Sequence, residues 1–191
     1  MRTDRLEAFS DGVMAILITI LVLQLPFPDG NGFHALRHVW PVLLSYLLSF
    51  VLIGIYWNNH HHMLRATEHI DGLVLWANLH LLFWLSLFPF VTGWMGKHFA
   101  RVPTAIYGVV LLMAAIAYYL LQRSIIRSEG ENSSLAAAIG RDAKGKLSPL
   151  IYATSIALAF VSRWLAVAGY VVVALIWLVP DRRLEARLHE H

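Results

Sequence analysis

Residues 2–25 read RTDRLEAFSDGVMAILITILVLQL, and this stretch decides the fold. Residues 7–25 are mostly apolar, and about 19 residues at about 1.5 Å each cover about 28 Å, the thickness of a bilayer core. The segment nevertheless contains Ser10 and Asp11 near its start and Thr19 in its middle. A carboxylate inside a membrane helix costs free energy to bury, so its presence there indicates a functional site. These polar groups predict a first membrane helix that does more than anchor the chain.

The composition of the whole chain supports a membrane protein. Of 191 residues, 58% are hydrophobic and only 14% are charged. In a soluble domain about 45–50% of the residues are apolar and about 25% are charged. There are no cysteines, which excludes disulfides and thiolate chemistry. The net charge of +3 is small and the basic residues lie between the apolar blocks. We therefore expect a lipid bilayer, and no nucleic acid, as a partner.

Six apolar blocks predict an all-α integral membrane protein with a single six-helix domain, residues 1–191. We expect Pro89 to kink the third block. A polar loop over residues 122–146, with a short surface helix at Ser134–Ile139, should precede the last two blocks. These two blocks are short, and joining them would bury Arg163 at a cost of at least ~2.5 kcal/mol, so a tight helical hairpin is favoured. The predicted spans are 7–25, 36–57, 72–95, 103–121, 148–162 and 164–179.

The distribution of lysine and arginine predicts the orientation. With six spans both termini share one side, which collects eleven of the basic residues, and the other side has four. The positive-inside rule then makes both termini cytoplasmic. Asp4, Glu7 and Asp11 interrupt the basic N-terminal region, and no small-residue cleavage site follows Leu25. We therefore expect the first helix to be retained rather than removed as a signal peptide.

One stripe of the first helix is apolar apart from a single hydroxyl group. Its members recur at three- and four-residue spacing and are Ile16, Thr19, Ile20 and Leu23. One interpretation is lipid contact or ordinary helix packing, with the threonine bonded back to a carbonyl of its own helix. The other is a pore wall, in which branched apolar side chains constrict and dewet a water path.

Asp11 should have a partner, and the second block ends with candidates on the same side of the membrane. The sequence there is YWNNHHHML, starting at Tyr56. Three adjacent histidines cannot aim at one ion from a single helix, because neighbouring side chains point about 100° apart, so we expect no metal site. One or two of the histidines should instead bond Asp11 or a backbone carbonyl. In the third block, Asn78 and His80 should bond across helices.

Several signatures of other functions are absent. The sequence contains no GxSxG, no phosphate-binding glycine loop and no HExxH, so we expect no enzyme. It also lacks TVGYG, the carbonyl filter of many potassium channels.

The motif Arg5-x-x-x-Phe9-Ser10-Asp11 resembles the RxxxFSD signature of the transmembrane protein 175 family of potassium channels, in its bacterial branch. The resemblance continues through YWNNHH, through LWANL at residues 75–79 and through FPF at residues 88–90. It therefore covers the first three predicted helices, while the last three match only in length and hydrophobic layout.

The resemblance implies six helices per subunit, a homotetramer, and first helices that line a central pore. Ile16 falls at the family's narrow isoleucine ring and Thr19 at its threonine, with Ile20 and Leu23 completing the pore-facing stripe. Ala15 stands where some animal members carry a serine. The resemblance also implies a packing and gating network of signature residues, namely Arg5, Phe9, Ser10, Asp11, Trp57, His60 or His61, and Asn78.

We therefore expect a potassium-permeable cation channel of the bacterial inner membrane, with K+ as permeant ion and no cofactor. The alternative is a proton- or metal-coupled secondary transporter that uses Asp11 and the His60–His62 cluster. Transporters often contain internal repeats and broken helices, and no repeat is visible in the sequence.

Overall fold

The computed structural model of the chain describes residues 3–67, 69–130 and 143–178. Within these ranges the structure is all-helical, with no strand. Its helices are α1 Thr3–Leu23, α2 Phe33–Arg65, α3 Gly72–Ser86, α4 Phe88–Lys97, α5 Arg101–Glu129, α6 Ala143–Ala159 and α7 Arg163–Leu178.

These helices form six apolar segments. Four are long and apolar enough to cross a membrane: α1, α2, the stretch Gly72–Lys97 that joins α3 to α4, and α5. The apolar helices Leu147–Ala159 and Arg163–Leu178 are shorter. An all-α membrane architecture with six apolar segments is what the sequence predicts.

Two helices extend farther than the apolar blocks. α2 continues to Arg65, so the whole YWNNHHHML stretch is helical. α5 continues to Glu129, and α6 begins at Ala143. Both ends of the expected loop over 122–146 are therefore helical, and the surface helix expected at Ser134–Ile139 lies outside the described residues.

The third apolar segment is interrupted next to its proline. α3 ends at Ser86 and α4 begins at Phe88, with Pro89 in its first turn. Proline has no backbone N–H and its ring collides with the carbonyl four residues earlier, here that of Leu85. The expected kink is thus a break between two helices.

The helices pack around aromatic and very small side chains. α5 lies against α3, α6 and α7, and α1 lies along α2, α3 and α4. Tyr107 and Tyr170 are fully buried between α5 and α7, and their rings are 5.7 Å apart. The Tyr170 hydroxyl donates to the Thr104 carbonyl at 3.1 Å. Gly108 allows this approach, because a Cβ there would collide with the Tyr170 hydroxyl.

A tight turn joins α6 to α7, as the sequence predicts. Arg163 begins α7 and is exposed. Its guanidinium donates to the Phe99 carbonyl at 2.8 Å and lies 4.9 Å from the centre of the Phe99 ring. The charge therefore lies at the end of the helix pair, where it avoids the cost of burial in hydrocarbon.

Candidate functional site

The first helix has one buried face. Its buried residues recur at three- and four-residue spacing and pack against α2, α3 and α4. They are Leu6, Ser10, Met14, Leu17 and Leu21. This spacing is that of one side of an α-helix, so the rest of the chain covers only this side of α1.

The opposite face of α1 is exposed in the single chain and contains the stripe of Ile16, Thr19, Ile20 and Leu23. The exposed fractions are 58% for Ile16, 38% for Ile20 and 81% for Leu23. At about 100° per residue, all four side chains fall within about 100° of arc. The structure therefore places them together on one uncovered face.

The hydroxyl of Thr19 is bonded to its own helix. Thr19 Oγ1 donates to the Ile16 carbonyl at 2.8 Å, and the side chain remains exposed. A threonine hydroxyl has one hydrogen and two acceptor lone pairs. Because the hydrogen is used by the carbonyl, the oxygen presents only acceptor capacity to whatever lies beside the helix.

A chain of buried hydrogen bonds connects α1 to α3 and α2. Asn78 Nδ2 donates to Ser10 Oγ at 3.0 Å, and Ser10 Oγ donates to the Leu6 carbonyl at 2.8 Å. On its other side, Asn78 Oδ1 is 2.7 Å from His60 Nε2. Ser10, His60 and Asn78 are fully buried. The amide thus uses its donor and its acceptor to hold three helices together.

A second set of polar contacts joins α1 to α2 next to this chain. The Trp57 indole N–H donates to Asp11 Oδ1 at 3.0 Å. His61 Nδ1 is 2.7 Å from Glu7 Oε1, and the Trp57 and His61 rings stack with centroids 6.0 Å apart. Both carboxylates of this part of α1 therefore face α2.

The histidine partners differ from those we expected. His60 is hydrogen-bonded to Asn78 and His61 lies against Glu7 without a hydrogen bond between them, whereas Asp11 accepts a hydrogen bond from Trp57. The expectation that a histidine would bond Asp11 or a carbonyl was wrong, because the helical register brings the indole to the carboxylate first. His80 also bonds within its own helix rather than across helices, accepting from the Trp84 indole at 2.9 Å.

Two signature residues lie outside the polar contacts of the subunit. Arg5 is exposed and has no hydrogen bond or ion pair with the described residues. Phe9 is 52% exposed. Both are on the same side of α1 as Ile16, so within one subunit they do not contribute to the network that contains Ser10 and Asp11.

Sequence reasoning missed Glu7 as a member of this cluster. Glu7 and Asp11 are four residues apart, which places them on the same side of a helix. Their proximity was therefore predictable, but their separate partners on α2, His61 and Trp57, were not, because these depend on how the two helices pack.

Comparisons with known proteins identify relatives of the chain. The model of the family described as endosomal/lysosomal potassium channel TMEM175 matches residues 5–89. A potassium channel from Chryseobacterium sp. (strain P1-3) is 51% identical over 192 residues, covering 100% of both chains. A potassium channel from Streptomyces collinus is 32% identical over 185 residues, covering 91% of this chain and 90% of the relative.

A solved structure is similar along nearly the whole chain. It is the crystal structure of a lysosomal potassium-selective channel TMEM175 homolog from Chamaesiphon minutus, with 30% sequence identity and a TM-score of 0.82. The match covers 93% of this chain and 96% of that one. These relatives are ion channels rather than enzymes, and they do not support the secondary-transporter alternative. The chain belongs to the TMEM175 family of ion channels.

Proposed function

We propose that the whole chain, residues 1–191, is one six-helix channel domain, and that four copies form a potassium-permeable pore lined by α1. The observation that carries this proposal is the exposed stripe on α1. There, three branched apolar side chains flank one hydroxyl oxygen, whose hydrogen is already bonded and which can therefore only accept further hydrogen bonds. Relatives named potassium channels support K+ as the permeant ion.

A pore of this kind needs several subunits. One subunit presents the stripe on a single helix, so a closed wall requires copies arranged around an axis. The face of α1 opposite the stripe is already buried against α2, α3 and α4. Rotational assembly on the uncovered face would bring four stripes together without disturbing the subunit core.

Ile16 would form the constriction. Four isoleucine side chains meeting at an axis exclude water, and a dewetted apolar ring stops ions without any charged group. Opening then requires a rotation or splay of α1 rather than removal of a plug. The contacts of Ser10 and Asp11 with α2 and α3 resist such movement, which supports a gating role for the network.

Thr19 would coordinate permeating cations in the same pore. Its oxygen faces outward as an acceptor because the hydrogen is bonded to the Ile16 carbonyl. Acceptor oxygens replace the hydration shell of a cation and repel anions. A ring of four such oxygens, about one helical turn from Ile16, favours cations over anions.

The proposed setting is the bacterial inner membrane, with both termini in the cytoplasm. The support is the excess of lysine and arginine on the side that holds the termini, eleven against four. The ends of α1 and α2 that contain Asp11 and His61 are then cytoplasmic.

The test is potassium flux into liposomes that contain the purified protein. Wild-type protein should pass K+, and Ile16→Asn should pass at least several-fold more, because a polar ring keeps the constriction hydrated. Val22→Asn is the matched control, since Val22 is 45% exposed but lies about 120° around α1 from Ile16. Failure of both wild-type and Ile16→Asn to pass K+ would refute the proposal. Flux that saturates and requires a proton gradient would indicate a transporter instead.

A further inference from the structure

Three side chains that bind metals converge between α1 and α2. Glu7 and Asp11 come from α1, and His61 comes from α2. Each offers one ligand atom, and these atoms all lie within 4.8 Å of one another. The three side chains are only partly exposed. This cluster is separate from the exposed stripe of α1 and from the buried Ser10–Asn78–His60 chain, and it shares only Asp11 with the proposed gating network.

The contact between His61 and Glu7 leaves the ring nitrogen unsatisfied. Nδ1 lies 2.7 Å from Glu7 Oε1, yet the contact does not have the geometry of a hydrogen bond. The nitrogen atom is enclosed and has no hydrogen-bond partner among the described residues. An enclosed polar atom without a partner is costly. A cation between the nitrogen and the two carboxylates would remove that cost.

Trp57 holds the remaining ligand in place. Its indole N–H donates to Asp11 Oδ1 at 3.0 Å, which leaves the second carboxylate oxygen for an ion. The same indole stacks on the His61 ring at an interplanar angle of 28°. Groups that orient ligands in this way are typical of metal sites, and their loss commonly weakens binding by about 10–100-fold.

We propose that Glu7, Asp11 and His61 form a binding site for a divalent transition-metal ion that bridges α1 and α2. One imidazole nitrogen and two carboxylates suit Zn²⁺ or Mn²⁺, whereas Mg²⁺ and Ca²⁺ prefer oxygen ligands alone. Ligands of a tetrahedral Zn²⁺ at about 2.0–2.1 Å are about 3.3 Å apart. The ligand atoms, which lie within 4.8 Å of one another, would have to approach by about 1.5 Å or less to reach this spacing, and water would supply the fourth ligand.

A bound ion would fasten the first helix to the second. Because the carboxylates are on α1, a metal that links them to His61 resists rotation of α1 relative to α2. Zn²⁺ is therefore expected to reduce K+ flux at least several-fold. This consequence depends on the proposed role of α1 as the pore wall, whereas the binding itself does not.

Zinc binding to the purified full-length protein tests the site. Isothermal titration with Zn²⁺ should give one site per subunit that His61→Asn and Glu7→Gln each weaken at least tenfold. His38→Asn should leave this site unchanged, because His38 pairs with His34 at the other end of α2. Trp57→Phe should weaken it about tenfold, and excess Mg²⁺ should not compete.

The outcomes separate the two proposals. Unchanged Zn²⁺ binding in both His61→Asn and Glu7→Gln, absence of a site at that stoichiometry, or equal competition by Mg²⁺ would overturn the metal site. If one of these two variants does not assemble, Zn²⁺ binding by the other variant decides whether the site exists. If wild-type protein binds Zn²⁺, the variants do not, and wild-type protein passes no K+, then the metal site stands and the channel proposal is refuted. If Zn²⁺ reduces flux equally in wild type and His61→Asn, the site does not control α1.

Discussion

At the residue scale, the same chemical group has different roles on the two faces of α1. Ser10 and Thr19 both donate to a carbonyl of their own helix. The oxygen of buried Ser10 also accepts a hydrogen bond from Asn78. The oxygen of exposed Thr19 keeps its acceptor capacity for ligands outside the subunit. The difference comes from the face on which each residue lies, not from its chemistry.

Replacement of Thr19 by valine tests the role of that oxygen. Valine has nearly the same shape but offers no acceptor, so we expect K+ flux to persist while the preference for K+ over Na+ falls several-fold. Bi-ionic potentials in planar bilayers measure that preference. Thr154→Val is the matched control, because Thr154 is also exposed and bonded to its own helix, through the Leu150 carbonyl. Equal preferences in the two variants would exclude a role for Thr19 in selectivity.

The buried amide of Asn78 should be important for stability. Asn78→Ala leaves His60 and Ser10 without their partner, and an unsatisfied buried polar group costs about 1–3 kcal/mol. We expect the thermal midpoint of the detergent-solubilised protein to fall by several degrees. Asn59→Ala should have a smaller effect, since among the described residues Asn59 donates only to the Ile55 carbonyl of its own helix. A larger loss in Asn59→Ala would contradict this prediction.

Individual side-chain partners were only partly predictable from the sequence. The helical periodicity places Ile16 and Thr19 on a different face of α1 from Ser10, because spacing along a helix determines the face on which each residue lies. It does not determine which side chain of α2 reaches Asp11. That partner depends on the relative rotation of two packed helices, and here the rotation presents Trp57.

At the element scale, hydropathy predicted the apolar segments well but not the full lengths of the helices. The length of a hydrophobic block matches the thickness of the bilayer core. The length of a helix depends instead on its backbone hydrogen bonds and side-chain contacts, so a helix can extend beyond the hydrophobic block. α2 continues through its histidines to Arg65, and α5 continues to Glu129. The C-terminal extension of α2 is what brings His61 to Glu7. The break before Pro89 was predictable because proline has a local backbone effect.

Close packing of α5 against α7 depends on a glycine that the sequence did not single out. A Cβ at Gly108 would collide with the Tyr170 hydroxyl and lie 2.8 Å from Ile156 Cγ1. Gly108→Ala should therefore destabilise the protein by about 1–3 kcal/mol through overpacking, although alanine is the better helix former by about 1 kcal/mol. Chemical or thermal unfolding in detergent measures this.

Gly54→Ala is the control for that substitution. A Cβ at Gly54 on α2 would have no atom within 4 Å in the subunit, so only the helix preference remains and stability should be unchanged or higher. Equal stability losses for the two alanine variants would show that the contact with Tyr170 is not the cause.

At the scale of the whole molecule, the subunit leaves one side of its first helix uncovered. The stripe contains Leu23, which is 81% exposed, and the hydroxyl of Thr19. The proposed assembly around an axis would give this face a common water path, which a single chain cannot provide. The Chamaesiphon minutus channel is similar in structure along 93% of the chain.

Native mass spectrometry should therefore find a complex four times the 21.6 kDa mass of the subunit. The complex should persist in Ile16→Asn, since that substitution changes the exposed stripe rather than the buried core of the chain. A monomer or dimer in mild detergent, from protein that still passes K+ in liposomes, would require a different pore.

The most direct measurement asks which face of α1 lines the water path. The chain has no cysteine, so single-cysteine variants can be modified without background. In planar bilayers, a cationic methanethiosulfonate reagent should block K+ current through Leu23→Cys and leave Val22→Cys unaffected, although both residues are exposed in the subunit. Block of Val22→Cys with no effect on Leu23→Cys would contradict a pore lined by the Ile16, Thr19, Ile20 and Leu23 stripe.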